Sequence, residues 1–342
     1  MRAPTLRRLP AFLCFLILLL MVTACAGDVA TSVPVSGTVV PPIGTTDPTA
    51  ASPTPMPSPT ATPAPTETPL PVTPAPSATS TLSPSDTPTA APTATNAPSW
   101  WHDLPVVPAL SERARQVYQA GLAKGNNPRA FAKAGDCETI TDWFLVDFDR
   151  GARFYGLGPY TDLQGTIDYF QGSFARNSVA ARRGFNAAAM LTPFWADASV
   201  CKPNETPLGC EFRLVRPSFV LIMLGTNDVP HKADFEHNLR QAIQFSLDQD
   251  VLPILTTKAD NLEGDESIND TIARLAQEYG LPLWNFWRAV QPLPDHGLVA
   301  DGAHLTHDTN FFDDPQKMLS AWPWRNLTAL QVLDAVRKGV TK

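Results

Sequence analysis

The chain has 342 residues, a formal net charge of −7, five cysteines and 35 prolines. That length accommodates one large domain or two small ones. No basic stripe and no interleaving of arginine with aromatic residues runs along it, which excludes the usual nucleic-acid footprint. Its six histidines show no H-E-x-x-H and no Cys/His pairing, so no metal site is implied.

Residues 1–25 begin with Arg2, Arg7 and Arg8, continue in the apolar run Ala11–Val22 (AFLCFLILLLMV) and reach Val22–Cys25 (VTAC). A positive start, a short apolar run and small residues behind it predict an export signal rather than a full membrane span. Val22–Cys25 resembles the lipobox of bacterial lipoproteins. That resemblance implies cleavage before Cys25 and a diacylglycerol on its sulfur; an uncleaved signal anchor is the alternative. Both place the remaining chain in the cell envelope, held to the outer face of the membrane. Residues 26–98 hold 18 of the 35 prolines, interleaved with Thr, Ser and Ala. With almost nothing large and apolar to bury, this segment is predicted to be a disordered, polyproline-II-biased tether.

Residues 99–342 have an ordinary globular composition. Ser111 is predicted to cap a helix reaching about Lys124, with Ala114, Val117, Tyr118, Gly121 and Leu122 on one face and Gly125 as the stop. RAFAKAG (129–135) follows as the first strand, ending in Gly135-Asp136-Cys137. Phe219–Leu224 (FVLIML) is the clearest strand, and six consecutive apolar residues predict burial on both faces. Gly225–Asp228 sits at its carboxyl end. A helix carrying Phe235, Leu239, Ala242, Ile243 and Leu247 leads to a strand at Val251–Leu255. Ser267 is predicted to cap a helix with Ile268, Ile272, Leu275, Ala276 and Tyr279 inward, stopped by Gly280. LPLWNF (281–286) is the last strand candidate, and a helix from about Asn326 to Lys338 closes the chain. Alternating strands and helices predict an α/β fold with a largely parallel sheet. Ligands then bind outside the carboxyl ends of the strands.

Cys14 lies in the signal and Cys25 is the lipidation site. Cys201 and Cys210 bracket the Pro/Gly/Asn-containing loop KPNETPLG in an oxidising compartment, which predicts a disulfide between them. Cys137 lies outside that pairing. The Asn-x-Thr sequons at Asn204, Asn269 and Asn326 are read as surface positions at most.

Four segments stand in order: AGDCET (134–139), RRGFNAA (182–188), LGTNDV (224–229) and DGAHLT (301–306). This set resembles the SGNH, or GDSL-type, hydrolase family over about 125–342, with cysteine where that family carries its nucleophilic serine. The resemblance implies a flavodoxin-like three-layer sandwich around a central, mostly parallel five-stranded sheet, no cofactor and no metal. Carried over residue by residue, it makes His304 the base, Asp301 the group that orients it, and Asn227 an oxyanion donor. The backbone N–H groups of Gly184 and Cys137 complete the hole. The chemistry needs those parts, because ester cleavage passes through a tetrahedral oxyanion. Asn227 and Asp228 also fit an Asx turn, Asp301-Gly302 an ordinary turn, and Gly184 an irregular one. His296 and His307 are competing bases without the D-x-x-H context. Asp136 fits a turn-holding role.

Three readings of Cys137 stand side by side. As a nucleophile it forms a thiolate more readily than serine forms an alkoxide, and its intermediate is a thioester. As a relic it marks a binding module for cell-surface glycan. As an inert buried residue it has no role. An acyltransferase on the same site is a further alternative. Trp143, Tyr160, Phe194 and Trp195 lie between the motifs and suit sugar stacking, an acyl pocket or core packing. The expected partners are an ester-bearing small molecule, lipid or glycan, and the membrane through Cys25; no nucleic acid partner is expected, and the protein is expected to be a monomer.

Overall fold

The computed structural model describes residues 99–341. The signal, Cys14, Cys25 and the 26–98 segment lie outside them. Helix α1 (Glu112–Ala123) starts on Ser111, whose hydroxyl accepts the Ala114 N–H at 3.0 Å, satisfying one orphan donor of the first turn. It ends at Gly125, which takes the left-handed φ of 85° that favours glycine. Strand β1 (Asn127–Gly135) follows, with its last six residues buried. Helix α2 (Pro207–Val215) precedes β2 (Pro217–Met223), which is buried along its whole length. Then come α3 (Lys232–Asp248), β3 (Leu252–Thr256), α4 (Ser267–Tyr279), β4 (Leu283–Trp284) and α5 (Ala321–Val340).

The four strands form one parallel sheet in the order β1-β2-β3-β4. Outside β1 the sheet is extended by an isolated parallel bridge, Gly135 to Ala181. The Gly135 N–H donates to the Ala180 carbonyl, and the Arg182 N–H donates to the Gly135 carbonyl, each at 3.0 Å. The chain then leaves the sheet because Arg182, Arg183 and Gly184 are exposed and Gly184 turns at φ 78°. With that segment beside β1, the order matches the flavodoxin-like arrangement that the family resemblance implies.

Successive residues of β2 point to opposite faces. Phe219 stacks on Tyr118 of α1 at 5.2 Å between ring centres, while Ile222 and the following Leu224 meet Phe235 and Leu239 of α3 and Ile272 of α4. The sheet is therefore sandwiched between helix layers, with α5 packed against α1. Among the described residues no helix is long and apolar enough to cross a membrane.

Three local expectations are corrected. Ser267 is the first helical residue of α4 rather than its cap; Glu266 precedes it at φ 55°, and the Ser267 hydroxyl donates to Asp265. Helix α5 starts at Ala321, five residues early, since Pro323 falls in the first turn, where a missing N–H costs nothing. Asn269 and Asn326 are buried, not surface sites. Asn269 clamps the backbone N–H and carbonyl of Lys258, and Asn326 accepts from Leu145 N–H while donating to the Trp143 carbonyl. Cys201 and Cys210 form the expected disulfide, which ties the buried Cys210 of α2 to the loop before it.

Candidate active site

Cys137 stands on the turn that leaves β1. Gly135 is required there, because a Cβ at this position would lie 2.1 Å from the Met223 carbonyl oxygen and 2.4 Å from the Thr139 hydroxyl. Asp136 is buried, and its carboxylate accepts the Glu138 N–H at 3.0 Å, the turn-holding role expected of it. The Thr139 N–H returns to the Asp136 carbonyl at 3.0 Å, and its hydroxyl donates to the Met223 carbonyl at 3.3 Å. A tight turn pinned to the neighbouring strand thus holds the half-buried Cys137, which keeps its thiol.

His304 and Asp301 come from a hairpin-like loop closed by the Leu298–Leu305 bridge. One Asp301 oxygen accepts the N–H groups of Ala303 and His304 at 2.8 and 3.0 Å. The other lies 2.7 Å from His304 Nδ1. Gly302, at φ 70°, makes the reversal between them. Partial burial works to raise the Asp301 pKa, but the hydrogen bonds from His304 and Ala303 outweigh it and hold the carboxyl below its usual range. With Nδ1 engaged, the other ring nitrogen of His304 is the one that can exchange a proton. Cys137 and His304 line one small cleft together with Glu138, Trp143 and Arg183.

Asn227 sits on a short helical turn after β2, reached through Gly225 at φ 130°. A Cβ on Gly225 would lie 2.7 Å from Ile268 and 2.9 Å from Lys258. Asn227 Nδ2 donates to the Phe185 carbonyl at 3.1 Å, and buried Asp228 accepts the Ala187 N–H at 2.9 Å. These two bonds join the Asn227 turn to the Gly184 loop. Burial pushes the Asp228 carboxyl up to about 6 against its backbone hydrogen bonds. Gly184 is exposed, with open space where a Cβ would stand. Asn227 is bonded to Phe185, the residue after Gly184, and neither Asn227 nor Gly184 is among the residues lining the cleft of Cys137 and His304.

Two buried charge clusters behind the site were not legible in the sequence. Arg325 of α5 donates to the Glu138 carbonyl at 3.1 Å, and its guanidinium lies 4.9–5.8 Å from the ring centres of Phe144, Trp284, Phe286 and Trp322. Burial pushes the Glu138 carboxyl up to about 8, against the pull of Arg325. Beside them, buried Lys258 meets Asp260 at 2.7 Å and Glu263 at 2.6 Å, and Asp260 accepts the Thr226 hydroxyl at 2.7 Å. Glu138 and Arg325 are 187 residues apart, so no local motif announces the pair. Trp143 is 52% exposed in the cleft wall and Phe194 is 83% exposed beside Trp195. Tyr160 packs on the core. Among the described residues one group, Cys201, Glu205 and Cys210, clusters tightly enough to hold a metal, and both its sulfurs are spent in the disulfide.

No family model matches the chain, and no curated protein matches it. Among solved structures it is similar to a serine mutant of an acetyl esterase with acetate ion, at 16% identity and TM-score 0.37, covering 60% of this chain and 98% of that one. It is also similar to a GDSL-like lipase from Bacteroides thetaiotaomicron, at 15% identity and TM-score 0.35, covering 65% and 98%. A third is a catalytic mutant of an acetylxylan esterase from Geobacillus stearothermophilus, at 15% identity and TM-score 0.36, covering 60% and 93%. At these values the fold assignment rests on the parallel sheet, its strand order and its helix layers.

Proposed function

We propose that this chain is an exported, lipid-anchored ester hydrolase of the SGNH type, with Cys137 as nucleophile. The observation that carries the reading is the 2.7 Å contact from Asp301 to His304 Nδ1, on a loop whose histidine lines the same cleft as Cys137. His304 takes the thiol proton through its second ring nitrogen. The thiolate attacks the ester carbonyl carbon, and a C–S bond forms as the carbonyl becomes an oxyanion. On collapse the C–O bond to the leaving alcohol breaks, His304 returns the proton to that oxygen, and a thioester remains. Water, deprotonated by His304, then cleaves the thioester and regenerates the thiol. Asp301 keeps the ring in the required tautomer and stabilises the imidazolium, as in other nucleophile–His–carboxylate sites. One N–H of Asn227 goes to Phe185 and orients the amide, while the second serves the oxyanion with the Gly184 and Cys137 backbone N–H groups.

The test uses the full chain and p-nitrophenyl acetate. Wild type is expected to turn over and to be inactivated by iodoacetamide. Cys137→Ala should lose nearly all activity, Cys137→Ser should resist iodoacetamide, and His304→Ala should fall by orders of magnitude because base and nucleophile act as a unit. Equal rates for wild type and Cys137→Ala would refute the nucleophile. No turnover in wild type, with activity gained in Cys137→Ser, would identify a binding module that has lost its nucleophile. Anchoring rests on the Cys25 context alone. Labelled fatty acid should enter the wild-type chain and not Cys25→Ser.

A further inference from the structure

A second pocket, of about 260 Å³, opens beside the catalytic cleft and shares Asp142, Trp143 and Trp322 with it. That volume is just below the range for drug-sized ligands, about 300–1,000 Å³, and suits one ring-sized unit. Part of its wall is His307–Phe311, which begins three residues beyond His304. In ester cleavage the base gives its proton to the departing oxygen, so the leaving alcohol must lie on the His304 side.

The lining has a definite chemistry. Trp143 presents an exposed indole, 4.7 Å from the His307 ring and 5.6 Å from Trp322 between centres. Its main chain is held by buried Asn326, so the platform is built rather than loose. Three carboxylates line the pocket and each has partners. Asp142 pairs with Arg183 at 2.5 Å. Asp147 pairs with Arg150 at 3.3 Å and accepts from Asn310 at 2.8 Å. Asp308 accepts from Thr309 N–H at 2.7 Å and lies 3.4 Å from Lys317. Arg153 differs: its guanidinium lies 4.7 Å from the Phe154 ring centre, and among the described residues no carboxylate is within ion-pair distance of it. The pocket therefore offers one flat aromatic face and, at its exposed side, one guanidinium outside the ion pairs among the described residues.

We propose that this pocket is the leaving-group subsite and that it recognises a sugar bearing a carboxylate. The pyranose ring packs on Trp143, the esterified hydroxyl points toward Cys137 and His304, and the carboxylate meets Arg153. The proposal rests on the ester-hydrolase reading, with His304 as the proton donor to the departing sugar oxygen.

The experiment measures kcat/KM of the full chain on O-acetylated oligogalacturonate and on O-acetylated cello-oligosaccharide, beside p-nitrophenyl acetate. Wild type should prefer the acidic glycan by about tenfold or more, the scale of a charge-assisted contact. Arg153→Glu should bring that ratio to one or below, and raised salt should compress it. Turnover of p-nitrophenyl acetate with no acidic preference, or a preference that survives in Arg153→Glu, overturns the subsite and leaves the hydrolase reading standing. If no ester is cleaved, the hydrolase reading fails. Calorimetry with trigalacturonate and cellotriose on the same chain then decides the subsite. Tighter trigalacturonate binding that Arg153→Glu abolishes supports recognition of a carboxylate-bearing sugar at this pocket without a leaving-group role, and equal or absent binding overturns it.

Discussion

Asn227 spends one amide N–H on the Phe185 carbonyl, which turns a flexible side chain into an oriented donor. Asn227→Ala is expected to cost about 2.7–4 kcal/mol of transition-state stabilisation, read as a fall of about 10²–10³ in kcat with little change in KM. A KM effect alone would assign Asn227 to substrate binding. Glu138 makes a different prediction. Its carboxyl titrates near 8 in the fold because burial disfavours the charge, with Arg325 opposing, and near 4.3 in an unfolded chain. Between those values the folded state keeps a proton that the unfolded chain has released. The contribution is therefore fully present below about pH 4 and lost as pH rises through about 8. Glu138→Gln is neutral at every pH, so its melting temperature should exceed that of wild type at pH 8.5 and converge with it near pH 4.5. Parallel pH profiles in thermal scans would show that Glu138 stays ionised.

At the scale of elements, the site is assembled by strand ends and the glycines behind them. Gly225 combines φ 130° with side chains 2.7 and 2.9 Å from the missing Cβ. Gly225→Ala should therefore destabilise by more than about 2 kcal/mol and pull Asn227 out of register, lowering both midpoint and activity. The Cys201–Cys210 disulfide closes a short loop onto α2. Its reduction should cost about 2–3 kcal/mol by the chain-entropy argument and lower the chemical-denaturation midpoint. Element starts were the least legible feature. Ser267 looked like a cap, yet Asp265 engages its hydroxyl, and α5 gains a turn ahead of Asn326 because Trp322 and Pro323 are buried against the core. Both outcomes depend on packing partners that no local window contains.

At the scale of the molecule, the described residues 99–341 form an apolar core of their own, and a chain with its own core should fold alone. Residues 99–342 are expected to unfold cooperatively with the midpoint of the full chain; a midpoint many degrees lower would mean that 26–98 contributes to stability.

The order of strands and helices, the turn at Cys137 and the Asp301–His304 pair were legible in the sequence because each is a local pattern. A six-residue apolar run must be covered on both faces, a strand end must turn, and D-x-x-H places two side chains within reach of each other. What only the tertiary structure decided is what lies behind and beside them. Glu138 meets Arg325 across 187 positions, Asn326 props the Trp143 segment instead of facing solvent, and Arg153 comes to share a pocket with His307. Burial and charge pairing depend on which distant surfaces the fold brings together, and sequence spacing carries no information about that.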